Sequence, residues 1–287
     1  MLSWAYLKKY QIQTRKSRMR RKYFKSLIKQ FEIRPKKRLG QHFLVDFYLL
    51  KKISKCIKPK GETIVEVGAG LGFLTELLAQ EAKRVIAIEK DHSLVLALKE
   101  RLRNFQNVEI LEMDILDFSP EAFLRGITYK AVGNLPYSIS YPVIRLFLET
   151  NHQPKEMVFL IQREVAQKIC AKKSSLPKIA VEFYAKPKIL FYVPKNSFFP
   201  KPKVDGAVIQ IKDIHKGIPG VDRDLFFKIV KAGFAHPRKT ILNNLSSELK
   251  LEKGQVKKIL EEMSVSSQKR PQDLSFKDWV LLCQNLS

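Results

Sequence analysis

Two hydrophobic patterns alternate along most of the chain. Runs of five or six mainly apolar residues, typical of buried strands, occur at residues 63–67, 84–89, 108–113, 129–133 and 156–161. Segments with apolar residues at helical spacing precede or separate them, at residues 47–57, 71–81, 92–102, 141–149 and 164–171. Strands that alternate with helices of this length predict a parallel sheet with right-handed crossovers.

The pattern changes in the last third of the chain. Residues 179–184, 189–193 and 207–211 have the composition of strands but lack a helix between each pair, which predicts an antiparallel edge. A Gly- and Pro-containing linker follows at 212–221, and the four amphipathic segments after it predict short helices: 225–235, 240–249, 253–263 and 276–285. The predicted fold class is α/β, with a Rossmann-like, mostly parallel sheet in residues 34–212 and a small all-helical domain in residues 213–287.

Charge adds a candidate partner to this picture. The chain has 53 Lys+Arg and 28 Asp+Glu, a net charge of +25, and residues 1–40 hold 14 basic side chains and a single acid, Glu32. A large polyanion such as nucleic acid is therefore the first partner to consider. The hydrophobic fraction of 45% excludes a disordered chain.

Composition also limits the compartment. No stretch approaches the roughly 18–20 uncharged apolar residues that a membrane span needs, so we expect a soluble chain without a membrane partner. Cys56, Cys170 and Cys283 are far apart and lack metal-ligand spacing. They indicate a reducing compartment and argue against a disulfide framework or a metal site.

Residues 1–33 form a basic N-terminal extension without a steady apolar period. We predict that it is flexible and helical in part at most. It is open to three interpretations: an RNA-binding tail, a start site assigned too far upstream, or a mitochondrial transit peptide, since it is Arg-rich and lacks acids before Glu32. The first two place the protein in the cytoplasm and the third in mitochondria.

A glycine-rich turn lies between the first predicted strand and the helix after it. Glu66 precedes Gly68-Ala69-Gly70-Leu71-Gly72, and glycines at such a turn let the backbone approach a ligand closely. A dinucleotide fingerprint, Gly-x-Gly-x-x-Gly, would need glycine where Phe73 stands. The observed spacing instead suits S-adenosylmethionine (SAM), which has no pyrophosphate.

Two acids end the next two strands. Glu89 lies 19 residues after Gly70, where a carboxylate can accept from both ribose hydroxyls, and Asp114 follows the third strand, where it can accept from the adenine amino group. The alternative is a tight strand–helix turn with two solvated acids.

Asn134-Leu135-Pro136-Tyr137 follows the fourth predicted strand. The amino group of a base is a poor nucleophile because its lone pair is delocalised into the ring. The Asn134 side-chain oxygen and a backbone carbonyl beside Pro136 can each accept one amino hydrogen and direct the lone pair at a sulfonium methyl. Positioning then supplies most of the rate.

A stacked base must be flipped out to reach such a pocket, where aromatic rings hold it. Tyr137 is one candidate ring and Phe198, on a Pro-containing loop, is a second. The alternative for Phe198 is ordinary loop packing.

Five segments together resemble the small-subunit ribosomal RNA dimethyladenosine transferase family. They are Arg38-Leu39-Gly40-Gln41-His42-Phe43-Leu44, the glycine turn with Glu66, Gly133-Asn134-Leu135-Pro136-Tyr137-Ser138-Ile139-Ser140, Gln162-Arg163-Glu164-Val165-Ala166, and Phe198-x-Pro200-x-Pro202-Lys203-Val204-Asp205. The resemblance runs from about Arg34 to the C-terminus. It implies that SAM donates two methyl groups to each of two adjacent adenosines in the 3′-terminal hairpin of 16S rRNA, and that the protein is a monomer whose helical domain binds RNA.

The resemblance also implies residue roles. Asn134, Pro136, Tyr137 and Phe198 would form the catalytic set. The cofactor would be bound by His42, Leu44, Gly68, Gly70, Glu89, Asp114 and Asn134. A lone histidine beside Phe43 can also be an ordinary packed side chain.

Three alternatives stay open. Relatives that methylate large-subunit rRNA and confer macrolide resistance share the cofactor and Asn-x-Pro-Tyr motifs, although Gln162–Ala166 and Phe234–Thr240 favour the small-subunit branch. A non-catalytic ribosome-assembly factor could retain the fold, and an NAD-dependent oxidoreductase is disfavoured by Phe73. The loop at residues 172–178 is shorter than the family usually has, which puts that loop's RNA contacts in doubt.

Overall fold

The computed structural model of the protein describes residues 17–36 and 40–286. Its centre is a seven-stranded sheet formed by β2 (Thr63–Val67), β3 (Arg84–Glu89), β4 (Val108–Glu112), β5 (Tyr129–Asn134), β6 (Glu156–Gln162), β7 (Lys186–Val193) and β9 (Gly206–Lys212). Two short strands, β1 (Phe43–Leu44) and β8 (Phe198–Phe199), pair antiparallel outside this sheet.

The strand order in the large sheet is β4-β3-β2-β5-β6-β9-β7. The first five are parallel to one another, whereas β9 runs antiparallel to both β6 and β7. The order reverses between β2 and β5, and ligands of open α/β sheets bind beyond the carboxyl ends of the strands at such a point. The predicted fold class and the antiparallel edge are confirmed.

Twelve α-helices lie within the described residues. Those of the N-terminal and α/β parts are α1 (Ser17–Gln30), α2 (Phe47–Ile57), α3 (Phe73–Ala79), α4 (His92–Leu102), α5 (Pro120–Leu124), α6 (Ser140–Glu149), α7 (Arg163–Ile169) and α8 (Leu176–Glu182). The C-terminal four are α9 (Arg223–Phe234), α10 (Ile241–Leu249), α11 (Lys253–Glu262) and α12 (Phe276–Asn285). Within the described ranges, no helix is long and apolar enough to cross a membrane.

One predicted strand, residues 179–184, is wrong. Residues 179–182 belong to α8, and residues 183–184 form the turn after it. The first turn of α8 is fixed by the Ser175 hydroxyl, which accepts from the Lys178 backbone N–H at 3.3 Å, and by Pro177 in that turn. Ile179, Ala180 and Val181 are all buried, so the helix is apolar around most of its circumference. A short, fully apolar run does not distinguish a buried helix from a strand.

The N-terminal extension is partly described. Residues 1–16, and with them the first half of the predicted basic arm, lie outside the described residues, as do Lys37 and the first two residues of the first family motif, Arg38 and Leu39. Residues 17–30 form α1, and Phe24, Leu27 and Ile33 are buried. This part of the extension is therefore packed against the rest of the protein, which its irregular apolar spacing does not predict.

The C-terminal helices share one continuous apolar core with the sheet. The Phe183 ring, directly after α8, lies 4.6 Å from the Phe226 ring of α9, centroid to centroid. Within the helical part, a Cβ on Gly233 would lie 2.4 Å from the ring of Trp279, so α9 and α12 approach closely only because residue 233 lacks a side chain. The domain boundary at 212/213 stays a prediction.

Candidate active site at the carboxyl ends of the strands

A cavity of about 210 Å³ opens where β2, β3 and β5 end. It is lined by residues of the loop before β1, the glycine turn, the ends of β3 and β5, and the segment after β4. The lining includes Gly40, Gln41, His42, Phe43, Gly68, Gly70, Glu89, Lys90, Asp114, Asn134, Leu135, Pro136 and Tyr137.

The glycine turn forms the floor of the cavity. Gly68, Gly70 and Gly72 have φ angles of +69°, +58° and +73°, a region that other residues rarely adopt. The Gly68 backbone N–H donates to the Ile88 carbonyl at 2.9 Å, which ties the turn to β3. A Cβ on Gly70 would lie 3.3 Å from the Phe43 ring, so the turn fits closely beneath β1.

Glu89 is held rigidly at the end of β3. Its Oε2 accepts from the Gly70 backbone N–H at 2.9 Å, and its Oε1 accepts from the N–H groups of Lys90 and Asp91, each at 2.9 Å. Burial raises the pKa of Glu89, an effect that these three hydrogen bonds oppose. A buried carboxylate in a fixed orientation at the cavity wall can accept hydrogen bonds from a bound diol.

Glu66, the fourth residue of β2, is a buried acid to which the sequence motifs assign no role in the site. It is 2% exposed, and its Oε2 has no hydrogen-bond partner among the described residues. Burial raises the pKa of Glu66 to about 8, with a smaller contribution from the Glu89 carboxylate and against the Thr75 side chain, which lowers it. A small second cavity of about 50 Å³ behind the glycine turn is lined by Glu66 together with Gly68, Gly70 and Asn134. A buried carboxyl oxygen without a donor calls for an explanation, and the sequence alone does not reveal that Glu66 is buried.

Asp114 also lines the cavity, two residues after the end of β4. Its Oδ2 accepts from Lys90 Nζ at 2.5 Å and its Oδ1 from the Leu116 backbone N–H at 3.1 Å. The hydrogen bond from Lys90 holds the pKa of Asp114 below its usual value. The side chain is therefore ionised and can accept from a ligand amino group.

Asn134 ends β5 and faces the loop before β1. Its Nδ2 donates to the His42 carbonyl oxygen at 2.8 Å, which leaves Oδ1 as the amide's acceptor toward the cavity. No donor among the described residues bonds to this oxygen. The His42 ring is fixed as well, because its Nδ1 lies 2.7 Å from the Pro200 carbonyl oxygen and therefore carries the proton.

A backbone acceptor lies beside Asn134. The Pro136 carbonyl accepts from the Ile139 N–H and from the Ser140 hydroxyl, both at 3.1 Å. The Leu135 N–H donates to the Leu160 carbonyl at 3.0 Å, whereas no donor in the described part of the chain reaches the Leu135 carbonyl. That carbonyl is consequently the one beside Pro136 that a ligand can use.

Gly133 permits this arrangement. Its φ is +156°, and a Cβ there would lie 2.2 Å from the Val67 carbonyl oxygen on β2. Only glycine lets β5 approach β2 so closely at this point, and the approach places Asn134 next to the glycine turn.

Tyr137 lies at the cavity wall near His42, with a ring-to-ring centroid distance of 5.6 Å. Its hydroxyl is buried without a hydrogen-bond partner among the described residues. Burial, with a contribution from the carboxylates of Glu164 and Asp205, raises the pKa of Tyr137 to about 12. The ring is therefore uncharged at physiological pH and can offer a face to a planar ligand.

Two predicted site residues do not line the main cavity. Phe198 is 3% exposed, and its ring belongs to the apolar core around β6 and β9, so its role as a stacking face stays a prediction and its ring is packed in the structure. The physical reason is the pairing of β8 with β1, which aligns Phe198 with Leu44 and draws both side chains inward. Leu44 is likewise buried and lines only the small cavity behind the glycine turn.

Comparison with known proteins identifies this arrangement. Residues 33–283 match the family model described as Ribosomal RNA adenine dimethylase. The chain is 38% identical over 268 residues to Ribosomal RNA small subunit methyltransferase A of Dehalococcoides mccartyi, which covers 90% of this chain and 91% of that protein. It is 36% identical over 279 residues to the protein of the same name from Syntrophus aciditrophicus, covering 92% and 99%.

Solved structures with this fold include a dimethyladenosine transferase from Plasmodium falciparum and the 23S rRNA methyltransferase ErmE. The first has a TM-score of 0.70 at 24% identity over 82% of this chain and 94% of that one. The second has a TM-score of 0.69 at 22% identity over 85% and 99%. With family matches over most of its length, the chain belongs to the ribosomal RNA adenine dimethylase family, as its motifs predict.

Proposed function

We propose that this enzyme uses SAM to dimethylate the exocyclic amino groups of two adjacent adenosines in the 3′-terminal hairpin of 16S rRNA. The observation that carries the proposal is the pair of open acceptors at the end of β5. Asn134 Oδ1 and the Leu135 carbonyl have no donor among the described residues, and they are adjacent at the wall of the cavity.

The cavity fits SAM. Gly68 and Gly70 provide a backbone surface without side chains, Glu89 provides a fixed carboxylate for the ribose, and Asp114 provides an ionised acceptor for the adenine amino group. His42 would contact the cofactor from the loop before β1, and Leu44 would support that loop from the core. When bound, SAM supplies the electrophilic methyl group on a sulfonium.

The chain's own residues would prepare the nucleophile. Asn134 Oδ1 would accept one hydrogen of the adenosine amino group and the Leu135 carbonyl the other, which directs the nitrogen lone pair away from both acceptors. The hydrogen bond from Asn134 Nδ2 to the His42 carbonyl fixes the amide in the required orientation before the base arrives. The acceptors are in place in advance, so positioning supplies most of the rate.

Pro136 and Tyr137 would hold the base. Pro136 limits the backbone conformation next to the Leu135 carbonyl, and the uncharged Tyr137 ring would stack on the flipped-out adenosine. Phe198 would contribute only by supporting β8 from the core, since its ring is buried.

The small-subunit substrate is supported by the names of the relatives in the sequence comparison, each a small subunit methyltransferase A. Solvent-exposed basic pairs would contact phosphates around the site: Lys172 and Lys173, Lys201 and Lys203, and Arg238 and Lys239. We infer a cytoplasmic monomer; size-exclusion chromatography with light scattering would test the oligomeric state.

The decisive experiment is transfer of tritiated methyl groups from SAM to ribosomal subunits that lack the modification. We expect dimethyladenosine in 30S particles and none in 50S particles. Incorporation into 50S particles alone would favour a large-subunit enzyme. Ribosome binding without incorporation into either particle would favour a non-catalytic assembly factor.

A further inference from the structure

Helix α1 packs at the rim of the active-site cavity through apolar side chains, and Phe24 makes its aromatic contacts there. Phe24 is 2% exposed. Its ring centroid lies 5.7 Å from that of Phe43, 6.0 Å from Phe73 and 5.5 Å from Phe199.

These three rings belong to the segments that build the site. Phe43 follows His42, whose carbonyl accepts from Asn134. Phe73 is the first residue of α3, directly after the glycine turn. Phe199 precedes Pro200, whose carbonyl bonds to the His42 ring. Phe24 therefore packs against three segments that build the site, and Ile28 and Ile33 belong to the same apolar cluster.

The chain after α1 is tethered to the same rim. Lys36 Nζ donates to Asp91 Oδ1 at 2.8 Å, and Gln41 Nε2 donates to Asp91 Oδ2 at 2.9 Å. The Lys36 backbone N–H in turn donates to Gln41 Oε1 at 2.7 Å. Since Gln41 lines the cavity, these bonds hold α1 beside the opening at its C-terminal end too.

The outer face of α1 carries unpaired positive charge. Lys25 and Lys29 are exposed and lie one helical turn apart. Neither forms an ion pair with an acid among the described residues, whereas Lys36, Lys90 and Lys130 near the sheet do. The sequence of α1 contains six basic residues and no acid.

We propose that α1 is an RNA-docking helix, whose Lys25 and Lys29 contact phosphates of the substrate RNA next to the strand that is methylated, while Phe24 keeps the helix on the cavity rim. This inference rests on the proposed function, because it takes ribosomal RNA as the ligand. Charge complementarity favours a phosphate backbone, and the contact of Phe24 with Phe43, which lines the cavity, would place these phosphates at the cavity rim.

The test is the double variant Lys25→Glu/Lys29→Glu, with affinity for unmodified 30S particles measured by filter binding across a salt series. We expect Kd to rise about tenfold or more at physiological salt, and the slope of log K against log salt to fall by about 2, roughly one for each lost phosphate contact. SAM affinity, measured by calorimetry, should stay unchanged. Glutamate is a good helix former, so α1 itself should persist.

The matched control is Lys60→Glu/Lys83→Glu. Both lysines are exposed and without an ion pair in the described structure, and they precede β2 and β3 at the amino end of the sheet, away from the cavity. Both double variants change the net charge by the same amount. An equal loss of RNA affinity in the control would therefore show that net charge alone explains the effect, and would refute the proposal that α1 docks RNA. An unchanged Kd and salt slope in the α1 variant would overturn it as well.

Attachment through Phe24 is tested separately. Phe24→Ala should reproduce the loss of RNA affinity and of salt slope, since the helix would leave the rim, and Phe24→Leu should restore most of both. A Phe24→Ala variant that binds RNA like the parent would refute the attachment. The two proposals can fail separately. If the unsubstituted protein does not methylate 30S particles but the α1 variant still loses RNA affinity, the proposed function is refuted and the RNA-docking role of α1 is retained.

Discussion

The two ends of β5 each carry a polar residue, and the contrast between them separates structure from function. Lys130, at the amino end, is 4% exposed and donates to the carbonyls of Ile57 and Lys58 at 2.7 and 3.1 Å. Asn134, at the carboxyl end of the same strand, uses only its Nδ2 and leaves its oxygen open. The polar group at the amino end has its hydrogen-bond partners within the protein, whereas the side-chain oxygen at the carboxyl end has none among the described residues.

The surroundings follow the same division. Glu62 and Glu156 lie 3.4 and 3.5 Å from Lys130 Nζ. Although burial opposes it, Lys155 and Lys130 hold the pKa of Glu62 below its usual value. At the carboxyl end, burial raises the pKa values of Glu66 and Glu89, and no cation pairs with either acid among the described residues.

Buried polar groups cost free energy unless they are paired. At the amino end, Lys130 is paired with carbonyl and carboxylate groups of the protein, so its charge contributes to stability. The carboxyl end leaves acceptors unpaired beside a cavity, and a ligand with donors can satisfy them. Variants at the two ends should accordingly affect different measurements.

The largest effect is expected for Asn134→Ala. It removes one of two acceptors for the amino group and the hydrogen bond that orients it, so kcat/KM for methyl transfer should fall about 1000-fold, or about 4 kcal/mol of activation free energy. Single-turnover methylation of 30S particles measures it. RNA affinity should change less than threefold, and a variant that keeps a tenth of the parent's rate would contradict the role.

Lys130→Met tests the opposite end. The change leaves two carbonyls and Glu156 without their shared donor, and we expect the free energy of unfolding to fall by about 3 kcal/mol, with kcat unchanged at temperatures where the variant is folded. Urea denaturation gives the first quantity. Lys155→Met, which removes a half-exposed partner of Glu62, is the control and should cost about 1 kcal/mol or less. Equal losses in the two variants would show that burial of the lysine is unimportant.

Glu89→Gln should change both ligand binding and stability. Both carboxylate oxygens accept backbone N–H groups, and the amide nitrogen of glutamine must face one of these donors. We expect SAM affinity to fall about tenfold or more, and the free energy of unfolding to fall by about 1–3 kcal/mol for the unsatisfied group. Calorimetry and urea denaturation measure the two. An unchanged SAM affinity would remove Glu89 from the cofactor site.

The position of the site at the carboxyl ends of the strands could be predicted from the sequence. The apolar runs locate β2 to β6 to within a residue or so. The buried strands β2, β3, β5 and β6 are almost continuously apolar, whereas the edge strand β4 is only partly buried. Short polar motifs after those strands then meet at one edge of the sheet, which is why Gly68, Glu89, Asp114 and Asn134 come together at one cavity.

What the sequence could not supply depends on tertiary packing. Helix α8 resembles a strand because its residues are buried on all sides, and Phe198 looks like an exposed loop residue until β8 pairs with β1. Phe24 is one aromatic among many basic residues, and only the position of Phe43 and Phe199 explains its burial. The pairing of Lys130 likewise has no local pattern, since its partners come from α2, β6 and the residue before β2.

The last effect, which isolates the buried Glu66 carboxyl and is confined to the pH dependence of stability, is expected for Glu66→Gln. The pKa of Glu66 is raised to about 8 in the folded protein, whereas in the unfolded chain it is near 4.3. Between these values the folded state holds a proton that the unfolded state has lost, so this residue makes stability fall as pH rises from about 5 to 8. Glutamine cannot ionise and removes that contribution.

The Tm of the variant relative to the parent should therefore be nearly unchanged at pH 5 and should rise by at least about 2 °C by pH 8. Calorimetric scans at both pH values, in the absence of SAM, give the comparison. A Tm difference that is the same at both would mean that Glu66 is ionised in the folded protein and paired after all, and the carboxyl end would then resemble the amino end more closely than its contacts indicate.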